Sequence, residues 1–144
     1  MIYEAYHGTK ANFPTDEIRT KAYFTADRRI AEYFAGHRTY EGRVIHADII
    51  PSKPFEIDWM GCSWGGGYFP SDEDMLSEYI DYASDGDPDE MDYWEEEGMC
   101  IDMFADYLQS KGYDLLIARN VLEDCGMLSD EYIVMDGCRV RDHT

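Results

Sequence analysis

Ser129–Gly137 reads SDEYIVMDG. Ile133, flanked by the β-favouring Tyr132 and Val134, predicts a buried strand over Glu131–Asp136. A carboxylate at the mouth of such a strand is costly unless it sits at a sheet edge or lines a cleft. Glu131 is therefore the first residue in the chain that asks for a functional explanation.

Upstream, YDLLIA predicts another buried strand and RNVLEDCGMLSD a loop; downstream, CRVR predicts a short closing strand. At the N-terminus, IYEAYHGT and AYFT read as short strands separated by the polar stretch KANFPTDEIRTK. TADRRIAEYFAG has helical spacing: Thr25 is the expected N-cap, Ile30, Tyr33 and Phe34 share a face, and Gly36 can close the end. GRVIHADII alternates as a strand, and PFEID is a further extended piece. MGCSWGGGYFP is a glycine-rich connection without the Lys-Ser/Thr pair of a phosphate cradle. SDEDMLSEYIDYAS predicts a helix capped by Ser71, with Met75, Tyr79 and Tyr82 on one face. EEEGMCIDMFADYLQSKG is the strongest helix, with Ile101, Phe104, Ala105 and Leu108 at core spacing and Gly112 just past its end. Strands and helices do not alternate regularly, so the fold class expected is α+β in a single domain, 1–144.

Charge narrows the function. The net charge of −19 over 144 residues argues against direct binding to nucleic acid. It suits a basic protein partner, or solubility alone. No Lys, Arg or His occurs from Pro54 to Ser110, so an acidic middle separates two flanks that hold the basic residues. No run of apolar residues reaches the ~18 that a membrane span needs. MIYEAYHGTK has no basic-then-apolar leader pattern, and the four cysteines lack C-x-x-C spacing, so a cytoplasmic protein with reduced thiols is expected. DGDPDE has only part of the spacing of a calcium loop: its glycine is misplaced and a proline intrudes, so no metal site is expected.

YHGT with His7, AYFTAD with Tyr23, AEYFA with Tyr33 and DEYIVMD with Glu131 occur in that order. Together they resemble the His-Tyr-Glu signature of the diphtheria-toxin-like and poly(ADP-ribose) polymerase-like ADP-ribosyltransferases. GRVIHADI, PFEID, GYDLLIARNV and CRVR are similar to small transferase domains carried by phages and bacteria. The resemblance covers about residues 2–58 and 111–141. It leaves the acidic middle outside, as an insertion at about 59–110. It implies a split β-sheet core with flanking helices, NAD⁺ as co-substrate, and release of nicotinamide as ADP-ribose passes to a protein acceptor.

The resemblance also assigns roles, and elementary chemistry supports them. Cleavage of the nicotinamide bond builds positive charge on the ribose, as glycoside cleavage does. A fixed carboxylate at Glu131 stabilises that charge and can orient or deprotonate the acceptor. Tyr23 and Tyr33 are flat faces for the cationic nicotinamide ring. His7 is expected on a ribose hydroxyl, Gly8 to read the nicotinamide amide through its backbone, and Thr9 to add a hydroxyl contact. Arg19 is a candidate for the pyrophosphate or adenine. Ser129 stands where the Arg-directed branch of the family carries a second glutamate, which argues against arginine as acceptor. Two other functions fit the same sequence: an NAD⁺ glycohydrolase, with water as acceptor, and an acidic decoy that binds a nucleic-acid-binding protein on a transferase scaffold.

Overall fold

The computed structural model describes residues 1–9, 22–38, 43–63, 73–84, 101–123 and 125–143. The expectations for Arg19, for the capping by Ser71, for most of the glycine-rich loop and for DGDPDE lie outside these residues. The fold is mixed α+β. Seven strands form one sheet: β1 (Tyr3–Thr9), β2 (Ala22–Thr25), β3 (Arg43–Ile50), β4 (Pro54–Asp58), β5 (Leu115–Leu122), β6 (Leu128–Val134) and β7 (Arg139–Asp142). The described helices are α1 (Arg28–Arg38), α2 (Glu73–Ser84) and α3 (Ile101–Ser110). Strand order is β4-β5-β6-β2-β1-β3-β7.

Two features of this sheet position the site. The first is a weak seam. Among the described residues β1 and β2 are joined by a single pair, Tyr6 with Thr25, whereas β1 and β3 pair from Tyr3–Ile49 through Thr9–Arg43. The second is the parallel pairing of β4 with β5, beside otherwise antiparallel neighbours. Parallel neighbours need a long crossover, and the acidic middle of the chain is that crossover.

Alternation along β5 and β6 divides the core in two. Leu115, Ile117, Tyr132 and Val134 face a cluster with Ala5, Phe24, Ile45, Ala47 and Ile49. Leu116, Ala118, Val121 and Ile133 face Trp59, Tyr79, Phe104, Ala105 and Leu108. The acidic segment therefore supplies much of one core cluster. Phe104, Ala105 and Leu108 are buried as their spacing predicts, as is Tyr79, while Tyr82 is 44% exposed. Gly112 follows α3 at φ 91°, and the Tyr113 amide donates to Leu108 O, so the helix closes there as expected.

Three boundaries differ from the sequence reading. Asp27, not Thr25, caps α1: its Oδ1 accepts from the Arg29 amide at 2.9 Å. Thr25 is taken by β2, where it pairs with Glu131. Gly36 lies inside α1 rather than ending it. The buried face of α1 is Ile30, Ala31 and Ala35, with Tyr33 and Phe34 half-buried. RNVLEDCGMLSD is mostly strand, since β5 runs on to Leu122 and β6 starts at Leu128. The loop between them is a tight hairpin: the Glu123 amide donates to Met127 O, the Gly126 amide donates to Glu123 O, and Gly126 takes φ 83°.

Candidate functional site

Glu131 does not stand at a strand mouth. It is the fourth residue of β6, a central strand between β5 and β2, opposite Ala118 on one side and Thr25 on the other. It is 2% exposed, and its Oε1 has no hydrogen-bond partner. A buried polar atom left unpaired is expensive, which raises the question of what it is held for.

The surroundings of Glu131 are built by the hairpin. The Thr25 hydroxyl acts on the Glu131 carboxyl to favour its charged form, and Thr25 Oγ1 lies 3.0 Å from Ser129 Oγ. The Asp130 carboxylate, next in sequence, accepts from Arg119 Nη1 at 2.8 Å and from the Asn120 amide at 3.2 Å. Those two bonds span an irregularity where β5 slips its register between Ala118 and Val121, with Asn120 at φ 57°. Arg119 also donates to Glu56 at 2.8 Å, so the guanidinium links β4, β5 and β6 beside the site.

Glu123 was not singled out by the sequence, and it is the main addition. It is 2% exposed, and neither of its carboxyl oxygens has a hydrogen-bond partner. The hairpin turn fixes its backbone, and its carboxyl meets that of Glu131. As two carboxylates neither can donate; the contact becomes a hydrogen bond only when one carries a proton. Burial pushes the Glu131 carboxyl well above the usual carboxylate range, the Glu123 carboxyl pushes it further, and the Thr25 hydroxyl pulls it partly back. Reading VLEDCGMLS as a three-residue hairpin loop, with Gly126 in the left-handed position, would have placed Glu123 at the end of β5.

Tyr23 pairs with Ile133 and packs, half-buried, against the Phe104 cluster, on the face that Glu131 and Thr25 share. His7 donates from Nδ1 to the Tyr23 carbonyl at 2.5 Å, which fixes a proton on that nitrogen. Its ring lies 5.3 Å from that of Phe24 and, by pairing with Ile45, belongs to the opposite face. His7 and Tyr23 thus meet across the β1–β2 seam through the backbone, and the His7 and Glu131 side chains lie on different faces of the sheet.

Gly8 has a tighter constraint than the one expected. A Cβ there would stand 2.1 Å from Ala31 O and 3.0 Å from the Ala35 amide nitrogen. The missing side chain makes room for α1, whose small buried residues Ala31 and Ala35 match it. Tyr33 is half-buried on α1, its ring edge-on to Phe34 at 5.4 Å. Thr9 pairs with Arg43 in β1, and its side chain is outside the description, as is all of Arg19. An open depression on α2, lined by Asp74, Met75, Ser77, Glu78 and Asp81, includes none of these residues.

Among the described residues no group of three or more His, Cys, Asp or Glu side chains is arranged to hold a metal ion, and no helix is long and apolar enough to cross a membrane. Among the described residues, Cys125 and Cys138 are free thiols. Comparison with protein-family models, with curated proteins and with solved structures gave no match for this chain.

Proposed function

We propose that the protein is a mono-ADP-ribosyltransferase that moves ADP-ribose from NAD⁺ to a protein acceptor. One observation carries the reading: motifs more than a hundred positions apart in the chain converge on adjacent strands. Glu131 is paired with Thr25, Tyr23 is two residues along the same strand, and His7 is bonded to the Tyr23 carbonyl. The sheet that holds them is nearly divided at the β1–β2 pair.

NAD⁺ is long enough to reach both faces across that seam, with the adenosine ribose towards His7 and the nicotinamide ribose towards Glu131. The unpartnered Glu131 Oε1 suits a ribose hydroxyl. In the reaction the bond from the ribose anomeric carbon to the pyridinium nitrogen breaks, and its electron pair leaves with neutral nicotinamide. The acceptor's lone pair forms the new bond to that carbon and its proton is lost. A Glu131 carboxylate stabilises the cation between the two events. Tyr23 offers its ring to the departing nicotinamide.

The test is release of nicotinamide from NAD⁺ by wild type and by Glu131→Gln, with and without cell lysate. Release that depends on Glu131 and rises with lysate, with label transferred to a lysate protein, is expected. Release without transfer makes the protein a glycohydrolase. No release in either condition removes the enzymatic reading.

A further inference from the structure

The buried carboxyls of Glu123 and Glu131 have three oxygens without a partner between them. Among the described residues no cation neutralises them. The described groups that act on Glu131 are Glu123 from the hairpin turn, Thr25 from β2 and, through its charge from the opposite face of the same strand, Asp130. Arg119 on β5 is committed to Asp130 and Glu56. Two like charges in contact, both out of water, cannot both persist. One proton between them turns the contact into a hydrogen bond and leaves a single negative charge.

We propose that Glu123 is a positioning residue that accepts a hydrogen bond from the protonated Glu131 carboxyl in the free protein, and that Glu131 gives up this proton when a cationic group binds against the pair. Resting on the function proposed above, that group is the pyridinium–ribose end of NAD⁺. The balance is simple. The pair starts with one proton and one negative charge, and the ligand brings one positive charge. The proton goes to solvent, and two carboxylates remain beside the cation. The charge that opposes the pair in the free protein then stabilises the developing ribosyl cation. Glu123 also draws in the Glu131 side chain, which keeps it pointed at one spot.

The first experiment is independent of any enzymatic activity. Stability of wild type, Glu123→Gln, Glu131→Gln and the double variant is measured by urea unfolding from pH 5 to pH 8. Relative to the double variant, wild type is expected to take up about one proton on folding across that range, seen as stability falling with rising pH. Glu131→Gln abolishes that slope, and Glu123→Gln reduces it and moves it to lower pH, because burial alone still raises the Glu131 carboxyl. A slope unchanged in Glu123→Gln makes Glu131 an isolated buried acid and overturns the pair. If Glu123→Gln does not fold, the second experiment decides alone.

That second experiment uses wild type and the carbocyclic analogue of NAD⁺, whose pyridinium cannot be cleaved off through an oxocarbenium ion. Calorimetry in buffers of different ionisation enthalpy is expected to show about one proton released on binding at pH 7. ADP-ribose, which lacks the pyridinium, releases none. Binding of the cationic analogue without proton release overturns the proposal. Absence of nicotinamide release from NAD⁺, with the proton uptake on folding intact, removes the transferase reading and leaves the pair. In an active enzyme, Glu123→Gln moves the rising limb of the pH–rate profile about one unit or more to the acid side. A uniform loss at all pH values assigns Glu123 a merely structural role.

Discussion

Arg119 donates to Asp130 at 2.8 Å, one residue before Glu131, and to Glu56 at 2.8 Å on the neighbouring strand β4. This guanidinium ties the irregular stretch of β5 to both β6 and β4. Arg119→Ala is expected to cost about 1 kcal/mol in stability, since all three partners keep some contact with solvent. The effect on nicotinamide release is expected to be larger than that figure implies, because Asp130 and the Asn120 amide lose their common geometry. Urea unfolding and nicotinamide release on the same preparation separate the two.

Gly8 and Gly126 fail in different ways. Gly8→Ala drives a Cβ into the Ala31 carbonyl, a backbone atom that cannot step aside. A loss of about 3 kcal/mol, at the upper end for overpacking, is expected as α1 is pushed off β1. Gly126→Ala meets nothing within 4 Å, but φ is 83° there. Its cost is about 1–2 kcal/mol of backbone strain, local to the turn that holds Glu123. Thermal melting reads both. Gly126→Ala alone is expected to alter the pH dependence of stability, by loosening the hold on Glu123.

Phe104→Ala is expected to destabilise by about 3–5 kcal/mol. Phe104 is fully buried and edge-on to both Phe55 and Tyr79, so it ties α3 to β4 and α2 at once. A change below about 1 kcal/mol in urea unfolding would show that the acidic segment does not pack on the sheet.

Asp48 carries the opposite pH sign to Glu131. Arg141 and then His143 hold its carboxyl below the usual carboxylate range, through contacts of 2.6 and 2.7 Å. A depressed carboxylate stabilises the fold at pH values above its unfolded value, and that contribution is lost as pH falls through the folded one. Asp48→Asn is therefore expected to flatten the acid limb of the stability curve. Amide exchange along β7, which pairs with β3 from Ala47 to Ile50, is expected to quicken in the same variant.

How much the sequence reveals can be judged from single residues. PFEID and AYFT are strands with the bounds their composition implies, because short apolar alternation there has no competitor. Phe104 and Leu108 are legible from helical spacing alone. Thr25 is not: it and Asp27 are both good caps, and only the pairing of β2 with β6, more than a hundred residues later, claims one of them. Glu123, Ser129 and Asp130 look like loop because they are polar. The burial of Glu123 and the part-burial of Ser129 and Asp130 follow from hairpin closure, which local composition does not encode. For the site, the pairing of the Tyr23 and Glu131 strands is a long-range contact that the order of the motifs does not state. The face to which the His7 ring turns is a matter of register, and register is fixed by distant partners.

The acidic segment was set apart in the sequence because the resemblance skips it and its charge is extreme. Yet Trp59, Tyr79 and Phe104 cover Leu116, Ala118 and Ile133. Cutting the chain back to the recognisable motifs would bare that apolar face and yield an aggregate. The segment is not a detachable module: whatever its carboxylates meet on the outside, its inner surface makes it a condition of folding. A variant that reverses the outer charges while keeping those aromatic anchors is the form in which its acidity can be varied without losing the fold.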